Sequence, residues 1–139
     1  MLKSKTVFAV LCCALFLFGT AAIAPAAEEL PSGFIAQSES GMNWADAKAF
    51  CEQKGARLPL IGGSAAIGKA PQKGTAVDGF GALGDAPWPS ALPNNRFCTG
   101  TEDSGYPAES WTIVGVSGGG FSVRPAPKKE SCRAVCVPK

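Results

Sequence analysis

Hydrophobic and polar positions follow a helical period in one stretch near the start of the chain. Ala47, Phe50 and Cys51 stand at i, i+3 and i+4, so they share one face of a helix, while charged and amide residues fill the other positions. Asn43 precedes the stretch as a suitable N-cap, and a glycine follows it as a C-cap. The pattern predicts a helix over residues 44–54 with Cys51 facing a core.

Glycine and proline interrupt the pattern after this helix. Residues 56–61 are predicted to be extended, because Pro59 cannot continue a helix. Residues 62–95 are so rich in glycine, alanine and proline that most of them are predicted to be irregular, although residues 64–69 allow a short second helix. A loop of this length in a compact domain is usually functional or mobile.

Short runs of β-branched and aromatic residues predominate from residue 96 onward. They predict four strands, at residues 97–101, 110–116, 120–124 and 131–137, with a glycine-bearing hairpin turn at 117–119. A helical region followed by a strand region predicts an α+β domain. We expect one or two helices, a small antiparallel sheet and a long irregular loop.

The first 26 residues have the layout of a secretory signal peptide. Lys3 and Lys5 precede an apolar run at 7–18, and small residues lead to a cleavage site after Ala26. We therefore expect a periplasmic or secreted protein, with a lead-in at residues 27–41 and a domain at 42–139.

The apolar run is shorter than the roughly 20 residues that a membrane-spanning helix needs, so no membrane span is expected. Cys12 and Cys13 lie inside this run and are removed with it. Lipid attachment at these cysteines is the less favoured alternative.

Charge and composition exclude several functions. Once Lys3 and Lys5 are removed with the signal, 11 basic and 11 acidic residues remain, so nothing in the charge favours nucleic acid as a partner. The chain has no histidine. It therefore cannot form a Ser-His-Asp or Cys-His catalytic arrangement or a histidine-ligated zinc site.

Four cysteines follow the signal: Cys51, Cys98, Cys132 and Cys136. In an exported protein an even number of cysteines indicates disulfides, and four cysteines allow three pairings. Metal ligation is less favoured, because no Cys-x-x-Cys pair occurs.

Three segments carry a resemblance to a known superfamily. Residues 43–59 resemble the first-helix signature of the C-type-lectin-like superfamily, in which tryptophan, alanine, an aromatic residue, cysteine, glycine and leucine recur in this order. Two bacterial branches are similar: formylglycine-generating-enzyme-like domains, and small domains with a Y-W-T-S-T-E element and a terminal R-C-V. Residues 97–102 and 132–137 resemble these two elements. The resemblance implies a lectin-like fold with Cys51 bonded to Cys136 and Cys98 to Cys132.

Calcium-dependent sugar binding is the activity first suggested by this superfamily, whose calcium motif is E-P-N or Q-P-D followed by W-N-D. Here Leu92 stands where the first carboxylate or amide belongs, before Pro93 and Asn94, and no W-N-D occurs. Glu102 and Asp103 could still supply oxygen ligands. We expect no cofactor, with calcium as the less favoured alternative.

Catalysis is also less favoured. A thiol oxidase related to formylglycine-generating enzyme could use Cys132 and Cys136, but structural disulfides explain both cysteines. The chain is therefore predicted not to be an enzyme.

Non-catalytic recognition is the function that the sequence favours, through residues 74–95. Trp88, between two prolines, suits a contact residue, although it could instead cover the core. The partner is expected to be an extracellular or envelope protein or glycan. A structural envelope component without a ligand is the alternative. The candidate binding residues are Trp88, Asn94, Asn95, Glu102 and Asp103.

Overall fold

The computed structural model describes residues 29–139, and the predicted signal peptide at 1–26 lies outside them. These residues form eight strands and one helix. The elements are β1 (Ala36–Met42), α1 (Trp44–Gln53), β2 (Ala66–Ile67), β3 (Ala76–Val77), β4 (Gly81–Ala82), β5 (Arg96–Asp103), β6 (Glu109–Gly115), β7 (Phe121–Pro127) and β8 (Cys132–Cys136).

Six strands form one mixed sheet in the order β1-β8-β5-β6-β7, with β2 added beside β5, and β3 pairs with β4 separately. Strand β5 is antiparallel to β6 but parallel to both β8 and β2. Within the described chain the one helix has ten residues. The expected α+β lectin-like fold with a small antiparallel sheet is therefore wrong. Strands β2 and β8 are far from β5 in the sequence, and the local sequence pattern does not show that they pair with it in parallel.

Helix α1 packs against one face of the sheet, over β1, β8 and β5. Ala47 and Cys51 are fully buried and pack with Cys98, Ala134 and Cys136 in a helix-side cluster. Asn43 caps the helix, since its Oδ1 accepts a hydrogen bond from the Asp46 backbone N–H at 3.0 Å. The predicted helix and its cap are confirmed, with the end of the helix one residue earlier than expected.

Both disulfides lie in the helix-side cluster. Cys51 is bonded to Cys136 and Cys98 to Cys132, which is the pairing that the resemblance implied. All four cysteines are buried. The first bond ties α1 to β8, and the second ties β8 to β5.

The opposite face of the sheet is covered by the glycine- and proline-rich residues 61–92, which fold into a layer of their own. Phe80 sits at its centre and packs against Phe97 and Phe121 of the sheet, with ring centroids 6.4 and 5.7 Å apart. We call these buried side chains the loop-side cluster, which comprises Ile61, Val77, Phe80, Leu83, Leu92, Phe97, Trp111, Ile113, Phe121 and Val135. Only β2, β3 and β4, of two residues each, are regular within residues 62–95, so the expectation of a long irregular segment is confirmed.

The second helix expected at 64–69 is also absent from the structure. This segment contains β2, and its carbonyls at Ala65 and Ile67 accept from the backbone N–H groups of Glu102 and Ser104. The backbone hydrogen bonds that a helix would make locally are therefore made to β5 instead.

Local pattern located the later strands but not the first. The four predicted strands correspond to β5, β6, β7 and β8. The predicted turn joins β6 to β7, and in it the Val116 N–H donates to the Gly120 carbonyl at 3.0 Å. Strand β1 falls within the expected lead-in. It contains serines and a glycine and no β-branched residue, and it pairs with β8 across a bulge.

Candidate functional site

Trp88 covers the core rather than projecting from it. Its indole is half-buried, with its ring centroid 5.6 Å from that of Phe80 and 5.8 Å from that of Phe97. The indole Nε1 donates a hydrogen bond to the Leu92 carbonyl at 2.9 Å. Trp88 thus anchors a turn to the sheet and is not itself an exposed contact.

The anchored turn comprises residues 88–93, and we call it the Trp88 turn. Leu92 is buried in the loop-side cluster, and its backbone N–H donates to the Pro89 carbonyl at 3.0 Å. Pro89 and Pro93 fix two backbone φ angles within six residues. The turn therefore keeps one conformation with Ser90 exposed at its tip.

A cleft of about 270 Å³ lies between the Trp88 turn and strands β1 and β8. Arg133 is fixed in its wall, because its Nε donates to the Ser38 carbonyl at 2.9 Å. The side-chain oxygen Oε1 of Gln37 is buried and finds no hydrogen-bond partner among residues 29–139. The cleft is lined by Gln37, Ser90, Ala91, Leu92, Pro93 and Arg133.

Asn94 and Asn95 are exposed and follow the Trp88 turn directly. The side chain of Asn94 lies against Gly115 at the end of β6. Asn95 is occupied locally, since its Oδ1 accepts from the Arg96 backbone N–H at 2.8 Å. The structure thus places Trp88, Asn94 and Asn95 in one region.

Glu102 and Asp103 lie at the other end of β5. Seven residue steps separate Arg96 from Asp103, which is about 23 Å along an extended strand. Glu102 forms an ion pair with Lys128 at 3.3 Å, and Asp103 Oδ1 accepts from the Gly105 backbone N–H at 2.9 Å. The five candidate binding residues therefore do not form one site.

The possible metal ligands and thiols of the described residues are their cysteine, aspartate and glutamate side chains. Residues 29–139 contain no group of three or more cysteine, aspartate or glutamate side chains able to hold a metal ion. The four cysteines of this range are all in disulfides.

Gln37 and Arg133 were not expected from the sequence to be site residues. They stand 96 positions apart, and only the pairing of β1 with β8 brings them together. No short motif marks either residue. The signal that could have found them is the β-strand nature of residues 36–42, which their composition hides.

Comparison with known proteins adds no relative. Scans of protein-family models, curated proteins and solved structures found no match. The resemblance to the C-type-lectin-like superfamily therefore stays a prediction. No helix within residues 29–139 is long and apolar enough to cross a membrane.

Proposed function

We propose that this chain is an exported, non-catalytic recognition domain that binds an extracellular or envelope partner, protein or glycan. The contact surface is the cleft between the Trp88 turn and residues Gln37 and Arg133. The observation that carries the proposal is a cleft of about 270 Å³ with the polar side chains of Gln37, Ser90 and Arg133 in its lining. Side chains of these types can donate hydrogen bonds to a bound partner and accept them from it.

Rigidity of the cleft supports the same proposal. The Trp88 indole, the Leu92 backbone and two prolines hold one wall, and the hydrogen bonds of Arg133 to the Ser38 carbonyl hold the other. A preformed surface loses less conformational entropy when a partner binds. Recognition of a partner in this way requires no catalytic residues.

The two buried disulfides support a periplasmic or secreted location. Such bonds form and persist in oxidising compartments, and cytosolic thiol systems keep cysteines reduced. This location agrees with the signal peptide predicted at 1–26 and places the cleft where envelope or extracellular partners are present.

Site-specific photo-crosslinking in cells that export the protein tests this function. A diazirine side chain, which inserts into C–H and O–H bonds of protein and carbohydrate alike, replaces Ser90 in the cleft or, as the control, Ala49 on the exposed face of α1. We expect a discrete adduct from position 90 and none from position 49. Absence of an adduct at position 90, or equal adducts at both, would favour a structural component without a ligand.

A further inference from the structure

Helix α1 leaves half of its face of the sheet uncovered. The helix packs against β1, β8 and β5. The register pairs Cys98 of β5 with Thr112 of β6, and Thr112 with Arg124 of β7. Directly paired residues point to the same side of a sheet, so Thr112 and Arg124 lie on the helix side with Cys98, beyond the reach of α1.

A cleft of about 360 Å³ occupies this uncovered region. It lies on the opposite side of the sheet from the Gln37–Arg133 cleft, and we call it the arginine cleft. Its floor is made of small and aliphatic side chains, and arginines stand on both sides. The lining residues are Arg96, Thr112, Val114, Gly115, Val116, Arg124, Pro125, Ala126, Pro127 and Glu130.

The charge of the arginine cleft is positive, with two guanidinium groups and one carboxylate. Arg96 and Arg124 lie two strands apart, about 12 Å between their α-carbons from strand spacing and register. Arg124 takes part in none of the ion pairs formed within residues 29–139. It is exposed at the rim of the cleft.

Arg96 is held only weakly by the cleft's one carboxylate. Its Nη1 lies 2.6 Å from Glu130 Oε2, and the two side chains keep 41% and 47% of their surface exposed. Ion pairs this exposed contribute little, because water and salt screen them. An incoming carboxylate can therefore compete with Glu130 for Arg96.

We propose that the arginine cleft binds an acidic peptide segment of a protein partner through its carboxylates. Arginine suits this ligand, because its planar fork of N–H donors matches the two oxygens of a carboxylate. A glycan is less suited, since none of the lining residues is aromatic and sugar rings are usually stacked on aromatic side chains. The arginine cleft lies on the opposite face of the sheet from the Gln37–Arg133 cleft, so binding there does not depend on that cleft.

Calorimetric titration of the disulfide-bonded protein with an N-acetylated, C-amidated hexaglutamate peptide tests the proposal. We expect Arg124→Gln and Arg96→Gln each to weaken binding about tenfold, the usual effect of losing a charged hydrogen bond. Glu130→Gln frees Arg96 and is expected to tighten binding about two- to fivefold. A misfolded variant would not bind more tightly, so this gain is independent of any loss of structure.

Two controls distinguish binding at the arginine cleft from nonspecific electrostatic attraction. Lys129→Gln removes one exposed positive charge outside the cleft and is expected to leave binding unchanged, and hexagalacturonate, with the same number of carboxylates, is expected to bind more weakly than the peptide. No measurable binding of hexaglutamate, equal weakening by Lys129→Gln and Arg124→Gln, no gain from Glu130→Gln, or tighter binding of hexagalacturonate would each overturn the proposal.

Discussion

The Trp88 indole Nε1 donates to the Leu92 carbonyl at 2.9 Å, closing a turn whose outer side forms one wall of the candidate cleft. The same indole packs against Phe80 and Phe97 in the core. One side chain therefore connects the packing of the loop layer to the shape of the cleft.

Replacement of Trp88 separates these two roles. Trp88→Phe keeps an aromatic ring but loses the hydrogen bond to Leu92, and we expect a loss of about 1 kcal/mol in the free energy of unfolding. Trp88→Ala also loses the packing and is expected to cost about 3 kcal/mol. Urea denaturation measures both. Wild-type stability in Trp88→Ala would show that the indole does not cover the core.

The two disulfides are expected to stabilise the domain by similar amounts. The Cys51–Cys136 bond spans 85 residues and the Cys98–Cys132 bond spans 34. Loop-closure entropy gives about 4–5 kcal/mol for the first and about 3.5–4 kcal/mol for the second. Guanidinium denaturation of the two double alanine variants measures these losses. A loss below about 1 kcal/mol for either pair would contradict the account.

Gly79 is a position where glycine is required. Its φ is +73°, and an added Cβ would lie 2.5 Å from Cε1 of Phe34, whose ring packs edge-on against Phe80. We expect Gly79→Ala to cost about 2–3 kcal/mol, from backbone strain together with the clash. Gly118→Ala is the matched control, since Gly118 has φ +96° but no atom within 4 Å of an added Cβ. Equal losses of thermal stability in the two variants would rule out the clash.

Asp78 attaches the loop layer to the segment after α1. Its Oδ2 accepts from Arg57 Nη1 at 2.6 Å and from the Leu60 backbone N–H at 3.0 Å. Asp78→Ala removes the acceptor of the Leu60 N–H and the ion pair with Arg57, and we expect a loss of about 2 kcal/mol in urea denaturation. Asp85→Ala, which breaks an exposed pair with Lys73, is expected to cost less than about 0.5 kcal/mol. Comparable losses would mean that Asp78 does not anchor the layer.

Local sequence pattern predicted the elements whose signal lies in consecutive residues. The apolar stripe and Asn43 cap gave α1, and aromatic and β-branched runs gave the four later strands, β5 to β8. The disulfide pairing followed from the resemblance rather than from the residues alone. Each of these features is encoded within a short stretch or a recognisable motif.

Features that depend on chain-distant pairing were not predicted. Strand β1 acquires its structure from β8, where the Ser38 hydroxyl accepts from the Ala134 backbone N–H at 2.9 Å. Strand β2 has two residues and exists only beside β5. The candidate cleft was not predicted for the same reason, because it forms only when Gln37 of β1 lies beside Arg133 of β8. Among the predicted site residues, Trp88 belongs to the turn that forms one wall of this cleft. Glu102 and Asp103 lie at the other end of β5, away from it.

The measurement that tests the proposed recognition most directly is the yield of the adduct formed from a diazirine at position 90 when Gln37 is replaced. The account predicts a discrete adduct in the otherwise wild-type protein. It predicts at least about a fivefold lower yield in Gln37→Ala, because the Gln37 side chain lines the cleft and its removal takes away hydrogen bonds to the partner. Unchanged yield in Gln37→Ala, with the protein folded and both disulfides intact, would contradict binding at this cleft.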